Sequence, residues 1–466
     1  MLNNLESLIN LEKLNDTSQY LTQYYLPEVK ILSFNYPDHS SSSNLNQLAY
    51  KLNTRFNWFA FSQNKLENNG IFQYTGINTD KDLYQNCKNF IGNYLNLSLH
   101  GFESLAKLEP SHWLAYKVMN EKIALSSQYA STNSIPNVFW LNNFELALAP
   151  AFIPKQKGTI ICQFIDTSWP KFNLKQNYEI WKSITLGLLA NNLLGFQNSV
   201  YCENFLTYVE ALIPQAKISH NQVVYKGHKT GLIANPIGID FRQWQKVAKL
   251  NGPHAAILKK EHKLANQIVL GVDKLCPSKG IIEKLAGFSS FLEKNKAWHK
   301  RIHLVQILGK PDYNGIVYED YARQVDSAID NINSRFGVDN WQPIKVIKDK
   351  LSQNELSAWY QASDVLLLNS LSCGVNLVAK EYVASRVDEQ GVLILSQNMA
   401  YANGFDDSVL VSNPQDAENI GKMLEIALAL DPEEKKRRIN TMRYAVNYNQ
   451  LQDWVVNFID SAIKVA

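Results

Sequence analysis

Two short segments of this chain combine charge, glycine and a change from strand-like to helix-like hydrophobic period. The first is Val272-Asp273-Lys274-Leu275-Cys276-Pro277-Ser278-Lys279-Gly280. Its lysines follow an apolar run and precede a helical pattern, a place from which both can neutralise the charge growing on a departing diphosphate. The ordinary alternative is two solvated lysines beside a turn, the commoner fate of that residue. The second segment runs Leu371-Ser372-Cys373-Gly374-Val375-Asn376-Leu377-Val378-Ala379-Lys380-Glu381-Tyr382. Glycine in such a turn lets backbone approach a ligand closely. The free N–H groups of the helix start then form an anion site. Glu381, about one turn into the helix, is placed to accept both hydroxyls of a ribose. The alternative is a plain strand–turn–helix corner with a surface glutamate. A third segment, Asn235-Pro236-Ile237-Gly238-Ile239-Asp240, either lines a cleft or is a linker.

These segments need strands to end at them and helices to start from them, and the hydrophobic pattern supplies both. Residues 1–25 resemble one or two short amphipathic helices. Val29 to Ser33 is a compact apolar run, hence a buried strand, followed by a polar loop at 40–44 and the helical spacing Leu45, Leu48, Leu52. Val138 to Leu141 and Thr159 to Ile165 read as further strands, and Tyr178 to Leu194 as one long apolar-periodic segment. Beyond residue 240 the alternation is cleaner. Strands are expected at Ile268–Val272, Ile302–Leu308, Ile344–Ile347, Val365–Asn369, Val392–Ser396 and Val409–Val411. Helices are expected at Gly280–Leu292, Tyr318–Phe336, Leu356–Ala362, Leu377–Ala384 and Ala417–Leu430. Such βαβα order predicts mostly parallel sheets covered on both faces, with ligands at the carboxyl ends of the strands.

The length of 466 residues suits two such domains. The expected division is an N-terminal helical extension over 1–28, a first domain over 29–240, a second over 241–445 and a C-terminal helix over 446–466. A dispersed net charge of +3 gives no nucleic-acid surface. The five cysteines have no CxxC or His/Cys ligand spacing, so neither a disulfide frame nor a metal site is expected. The N-terminus lacks a secretory pattern and no apolar stretch is long enough to span a bilayer, which predicts a cytoplasmic protein.

The segments NPIGID, VDKLCPSKGI, YARQVDSAIDNINSRFGVDNWQP, ASDVLLLNSLSCGVNLVAKEYVA and GVLILS occur in the order and spacing of retaining glycosyltransferases. In this the chain resembles the trehalose-phosphate synthase family, and FWLNNFELALAPAFI and the EEKKRR segment with Trp454 resemble its glucosylglycerol-phosphate synthase branch. The resemblance implies a GT-B fold: two doubly wound Rossmann-like domains facing a cleft. The second domain would hold a nucleotide sugar, ADP-glucose or UDP-glucose, and the first a small phosphorylated acceptor. No metal or other cofactor is implied. Lys279 matches the family's diphosphate lysine, Gly374, Val375, Asn376 and Leu377 its phosphate and sugar loop, and Glu381 its ribose carboxylate. Gly238 falls in the matching NPIGID turn, and Trp113 matches an acceptor-side tryptophan.

Other positions depart from the family. Lys274 replaces an arginine and loses its bidentate fork. Cys373 replaces a sugar-binding aspartate, and Asn35 an arginine at the end of the first strand. Ser43-Asn44 replaces a Gly-Gly pair. Asn142-Asn143-Phe144, followed by Glu145, replaces His-Asp-Tyr, and Asp166 stands where a histidine is expected. Two readings stay open. In one, Lys274, Lys279 and Asp166 serve catalysis, residues 373–377 with Glu381 and Gly238 bind the donor, and Asn35, Trp113 and Asn143 bind the acceptor of a hexosyl or cyclitol transfer. In the other, the chain is a silent homologue that binds nucleotide sugar or an active family member; self-association is compatible with either.

Overall fold

The computed structural model describes residues 29–35, 56–61, 72–128, 137–173, 176–374, 376–399 and 405–466. The expected extension over 1–28, the Ser43-Asn44 loop with the helix after it, and Val375 lie outside these residues.

The first sheet is built from β1 (Val29–Ser33), β2 (Phe56–Phe61), β3 (Phe72–Ile77), β4 (Asn137–Asn142), β5 (Thr159–Ile165) and β6 (Leu193–Phe196), with β7 (Lys217–Ser219), β8 (Gln222–Tyr225) and β9 (His228–Ala234). Their spatial order is β3-β2-β1-β4-β5-β6-β9-β8-β7, parallel except for the β7–β8–β9 meander at one edge. The second sheet holds β10 (Gln267–Lys274), β11 (Ile302–Gly309), β12 (Ile344–Ile347), β13 (Val365–Leu368), β14 (Val392–Ser396) and β15 (Leu410–Ser412). It is parallel throughout, in the order β12-β11-β10-β13-β14-β15. Runs such as VKILS, VLLL and VLILS are buried at every position, Lys30 included, because both faces are covered.

Each sheet reverses its strand order in its middle, between β1 and β4 and between β10 and β13. At such a switch point the chains leave in opposite directions and open a crevice at the carboxyl ends of the strands. Asn35 and Asn143 follow the first pair; Lys274 to Lys279 and the loop at 369–376 follow the second.

Helices α1 (Lys81–Phe90), α2 (Pro110–Gln128), α3 (Tyr178–Leu188) and α4 (Ser199–Leu212) belong to the first half. Helices α5 (Phe241–Glu261), α6 (Ile281–Lys294), α7 (Ile316–Phe336), α8 (Gln353–Ala362), α9 (Leu377–Ser385), α10 (Ala417–Ala429) and α11 (Pro432–Tyr448) belong to the second. The last helix, α12 (Leu451–Val465), crosses back onto the first sheet. There Trp454 and Phe458 pack on Trp140 and Phe164 at ring separations of 4.9–5.6 Å. Trp454 Nε1 donates to the Asn235 carbonyl at 2.9 Å, and Asn235 Nδ2 donates to the Trp454 carbonyl at 3.0 Å. Gly238 lies in this crossing: a side chain there would strike the backbone of Asn449 and Gln450. It is a packing position in this crossing.

The long periodic segment from Tyr178 to Leu194 is not one element. It divides into α3 and β6, because Asn191, fully buried, folds back to donate to the Leu188 carbonyl at 2.9 Å and to Gln163 at 3.1 Å. The apolar pattern continues past that break because β6 is itself buried. Strands β2 and β3 and helix α5 were not anticipated; α5 carries Pro253 within it. No helix among the described residues is long and apolar enough to cross a membrane.

Candidate active site

On the second domain, two loops are braced against each other. The Leu371 amide donates to the Ser278 carbonyl at 2.8 Å, and Asn369 Nδ2 reaches the Gly280 carbonyl at 3.4 Å. Gly280 adopts φ 59°, a left-handed conformation that turns the Pro277–Lys279 segment into α6. A Cβ there would also strike the Asn369 carbonyl. This packing holds Lys279 beside Cys373, whose sulfur is the largest cause of the upward shift of the lysine; Cys276, Asp273 and Asp312 add to it. Lys274 is more exposed and pairs with Asp312 at 2.6 Å. Asn376 opens α9 without capping it through its side chain.

Several buried acceptors at this end have no hydrogen-bond partner within the protein: Asp273 Oδ1, Asn369 Oδ1, Ser370 Oγ and Asn376 Oδ1. Unmet buried polar atoms are rare in native proteins, so this group of four is notable. Glu381 is buried and accepts from the Tyr360 hydroxyl at 3.0 Å; burial pushes its carboxyl up to about 7. Leu377 is half-buried and packs into the hydrophobic core beneath α9.

The first domain faces these loops with a different set of groups. Asn35 accepts from the Tyr84 hydroxyl at 2.5 Å, with Tyr84 stacked on Phe34. Asn143 adopts φ 62° after β4, and its Oδ1 accepts from the Asp166 amide at 3.3 Å. Glu145 accepts from the Tyr313 hydroxyl at 2.9 Å, across the two domains. Burial, then the Asp166 carboxylate, pushes Glu145 up to about 8. Burial, then Asp312, pushes Asp166 up to about 6, against the pull of Lys274 and Lys279. Trp113 belongs to an aromatic cluster with Phe90 and Tyr116, at 5.2 and 5.8 Å. Tyr116 in turn donates to the Phe144 carbonyl at 2.8 Å, so this cluster supports the Asn143–Glu145 turn.

The halves meet where backbone touches backbone. A Cβ at Gly374 would strike the Asp166 carbonyl and Thr167. The Tyr201 hydroxyl donates to the Cys373 carbonyl at 2.6 Å, and Ser372 Oγ donates to Ser168 Oγ at 3.0 Å. His100 lies 3.4 Å from Thr167 Oγ1; burial is the main reason its imidazole is held down at about 4, and Lys279 adds to it. The structure therefore gathers Lys274, Lys279, Cys373, Gly374, Asn143 and Asp166 at one place between the domains. It adds Asp312, Tyr313, His100 and Tyr201, which sequence reasoning missed. The turn Gly309-Lys310-Pro311-Asp312-Tyr313-Asn314-Gly315 after β11 carries a signal that could have found two of them. No group of His, Cys, Asp and Glu suited to a metal ion occurs among the described residues, and all five cysteines are free thiols.

The profile of glycosyltransferase family 20 matches residues 37–464. The chain belongs to that family. A bifunctional trehalose-6-phosphate synthase/phosphatase of Thermoproteus tenax is 30% identical over 78% of this chain and 50% of its own length. This chain thus spans half of that relative. The glucosylglycerol-phosphate synthase of Picosynechococcus is 27% identical over 79% of this chain and 78% of its own length. Among solved structures, a UDP-forming alpha,alpha-trehalose-phosphate synthase from Burkholderia xenovorans in complex with glucose-6-phosphate superposes with a TM-score of 0.84. That likeness covers 93% of this chain and 99% of the other at 22% identity. The fold is the GT-B arrangement of this glycosyltransferase family.

Proposed function

We propose that this family 20 protein transfers a glucosyl or related unit from a nucleotide sugar, UDP-glucose or ADP-glucose, to a hydroxyl of a small phosphorylated acceptor, with retention at the anomeric carbon. The observation that carries the reading is the convergence of Lys279, Lys274, Gly374 and the helix start at Asn376–Leu377 on one interdomain site, with unmet buried acceptors beneath it. In this reading Lys279, Lys274 and the amide end of α9 stabilise the diphosphate as it leaves. The bond from the anomeric carbon to the diphosphate oxygen breaks, and its electron pair stays on the diphosphate. The acceptor oxygen bonds to the same face of that carbon, and its proton passes to the departing diphosphate. No metal is needed for this charge balance. Asp166 faces the transferred sugar, and Glu381, prised from Tyr360, holds the ribose. Asn35, Asn143 and the Trp113 cluster shape the acceptor end.

The relatives named above support this class of reaction, and no observation favours a silent homologue. The test is product formation from UDP-glucose and ADP-glucose with glucose 6-phosphate and with glycerol 3-phosphate, followed by proton NMR of the product. An axial glycosidic linkage is expected with one donor. An equatorial linkage contradicts retention, and absence of product with every pair contradicts the transferase reading.

A further inference from the structure

The two domains also touch through a polar contact to which the proposed reaction assigns no role. The turn after β11 and the start of α7, in the second domain, lie against the π-helical segment Ile91–Asn96 that continues α1 in the first. The Tyr318 hydroxyl, buried there, donates to the Gly92 carbonyl at 2.8 Å and accepts from Asn96 Nδ2 at 3.1 Å. Two glycines let the surfaces meet. A Cβ at Gly92 would strike the Tyr313 side chain, and a Cβ at Gly315 would strike Asn93. Gly315 also adopts φ 140°, which other residues rarely do, at the point where α7 begins. The rings of Tyr313 and Tyr318 lie 6.4 Å apart.

This contact delivers one hydroxyl across the cleft. Tyr313 Oη donates to Glu145 Oε1 at 2.9 Å. The backbone of the Asn143–Glu145 turn is held from within the first domain: Tyr116 donates to the Phe144 carbonyl at 2.8 Å, and Asn120 Nδ2 to the Glu145 carbonyl at 3.1 Å. The carboxylate of that turn is met from the second domain. A glutamate side chain is rich in rotamers, and ordering it costs entropy. The Tyr313 ring is confined by Gly92 and by the anchored start of α7, so its hydroxyl selects one orientation of the carboxylate. Stability is a weak reason for the arrangement. One half-buried hydrogen bond contributes little net, and glycine at 92 gives up apolar contact to admit the ring. Single π turns within α-helices recur at functional sites.

We infer that Tyr313, brought from the second domain, is a positioning residue for Glu145: its hydroxyl holds the carboxylate in the orientation that meets the acceptor, and Tyr318, Gly92 and Gly315 set Tyr313 in place. The acceptor end is then complete only while residues 91–96 and 313–318 are in contact. The inference rests on the reading of the Asn143–Glu145 turn as part of the acceptor end, and adds to it the group that orients its carboxylate.

The test is steady-state transfer by the full chain, with UDP-glucose or ADP-glucose as donor and glucose 6-phosphate or glycerol 3-phosphate as the varied acceptor. Tyr313→Phe keeps the ring and removes the hydroxyl. It should shift the acceptor KM about fivefold, the scale of one hydrogen bond, in the direction taken by Glu145→Ala, with nucleotide affinity unchanged. In a Glu145→Ala background the same change should shift KM by less than about twofold, because the two residues act together. Gly92→Ala keeps both hydroxyls and displaces the Tyr313 ring, and should reproduce the KM shift of Tyr313→Phe. If that variant does not fold, Tyr318→Phe, which loosens the same contact, takes its place. Equal KM shifts by Y313F in the wild type and in the E145A background overturn the inference. So does an acceptor KM unmoved by Y313F in a protein that Glu145→Ala does alter. An acceptor KM indifferent to Glu145→Ala removes the acceptor-end reading, and absence of turnover in the wild type removes the proposed function; either takes the inference with it. Failure of the inference is read in Y313F and the double variant, failure of the underlying readings in E145A alone and in the wild type.

Discussion

The proposed donor and acceptor ends of the cleft satisfy their polar groups in opposite ways. At the donor end, Asp273 Oδ1, Asn369 Oδ1, Ser370 Oγ and Asn376 Oδ1 are buried without partners, beside two lysines. At the acceptor end the groups are paired with one another: Asn35 with Tyr84, Asn143 with the Asp166 amide, Glu145 with Tyr313. In the proposed reading the first surface would gain hydrogen bonds when a ligand arrives, and the second would exchange the bonds it already has. Net gain per hydrogen bond is small when one is only exchanged for another. Nucleotide sugar should therefore bind the free protein, and acceptor should bind well only after it. The charges differ too. The donor end presents cations, whereas on the acceptor side the Asp166 carboxylate adds to the burial that raises Glu145, and Asp312 adds to the burial that raises Asp166.

The largest effect should follow from removing the donor-end cation. Lys279→Ala is expected to lower turnover by about 10²–10³-fold, as loss of one preorganised charge-stabilising group does elsewhere. Acceptor affinity measured on its own should barely change. Equal damage to both ends would break the comparison.

Next come the acceptor-side carboxylates. Glu145→Gln should change the KM for a phosphorylated acceptor by about tenfold, or ~1.4 kcal/mol, without changing nucleotide affinity, whereas Asp312→Asn should change that KM similarly and also alter nucleotide affinity by freeing Lys274. The sign sharpens the comparison. A rise in KM means that the carboxylates hold acceptor hydroxyls; a fall means that the phosphate lies against them. Unchanged KM in both variants would remove these residues from the acceptor site.

A smaller effect concerns pH. Glu145, Asp166 and Glu381 have folded-state values of about 8, 6 and 7, all above their ordinary range. Between about pH 6.5 and 8 the folded protein thus holds protons on Glu145 and Glu381 that the unfolded chain has released, so stability of the ligand-free protein should fall as pH rises through that window; below it His100 and His303, held neutral in the fold down to about 4, oppose the trend. Glu145 is faced there by Asp166, Asp312, Cys87 and Tyr313. Glu145→Gln should flatten the upper part of the dependence in urea unfolding curves recorded across the window. An unaltered pH profile would count against the burial of this carboxyl. The smallest effect expected is that of Tyr84→Phe. It loses one hydrogen bond to Asn35, worth about 1 kcal/mol, and should weaken acceptor binding a few-fold with the donor unaffected.

Much of the donor end is legible in the sequence because local pattern and chemistry coincide there. Lys274, Lys279 and Gly374 each lie between a run of strand period and a run of helix period, and the β10, β13 and β14 runs are apolar enough to mark the strand ends. The acceptor end is less so, since its groups come together only through tertiary contact. Tyr313 reaches Glu145 from the other domain, 168 residues away in the chain. Asp312 has no local pattern that points to Asp166. The packing of Gly238 was illegible for a related reason: the return of α12 to the first sheet, which fixes that glycine against Asn449, is a long-range event. The division of Tyr178–Leu194 depended on Asn191, whose buried hydrogen bonds override an apolar period that runs on unbroken.

The central claim is that the second domain binds a nucleotide diphosphate at Lys279 and Glu381. Calorimetric titration of the purified full chain with UDP, ADP and their glucose conjugates tests it most directly. The account predicts that one nucleotide binds to the free protein without acceptor, and that Lys279→Ala and Glu381→Ala each abolish or strongly weaken that binding. Absence of binding by every nucleotide, or binding unchanged in both variants, would contradict it.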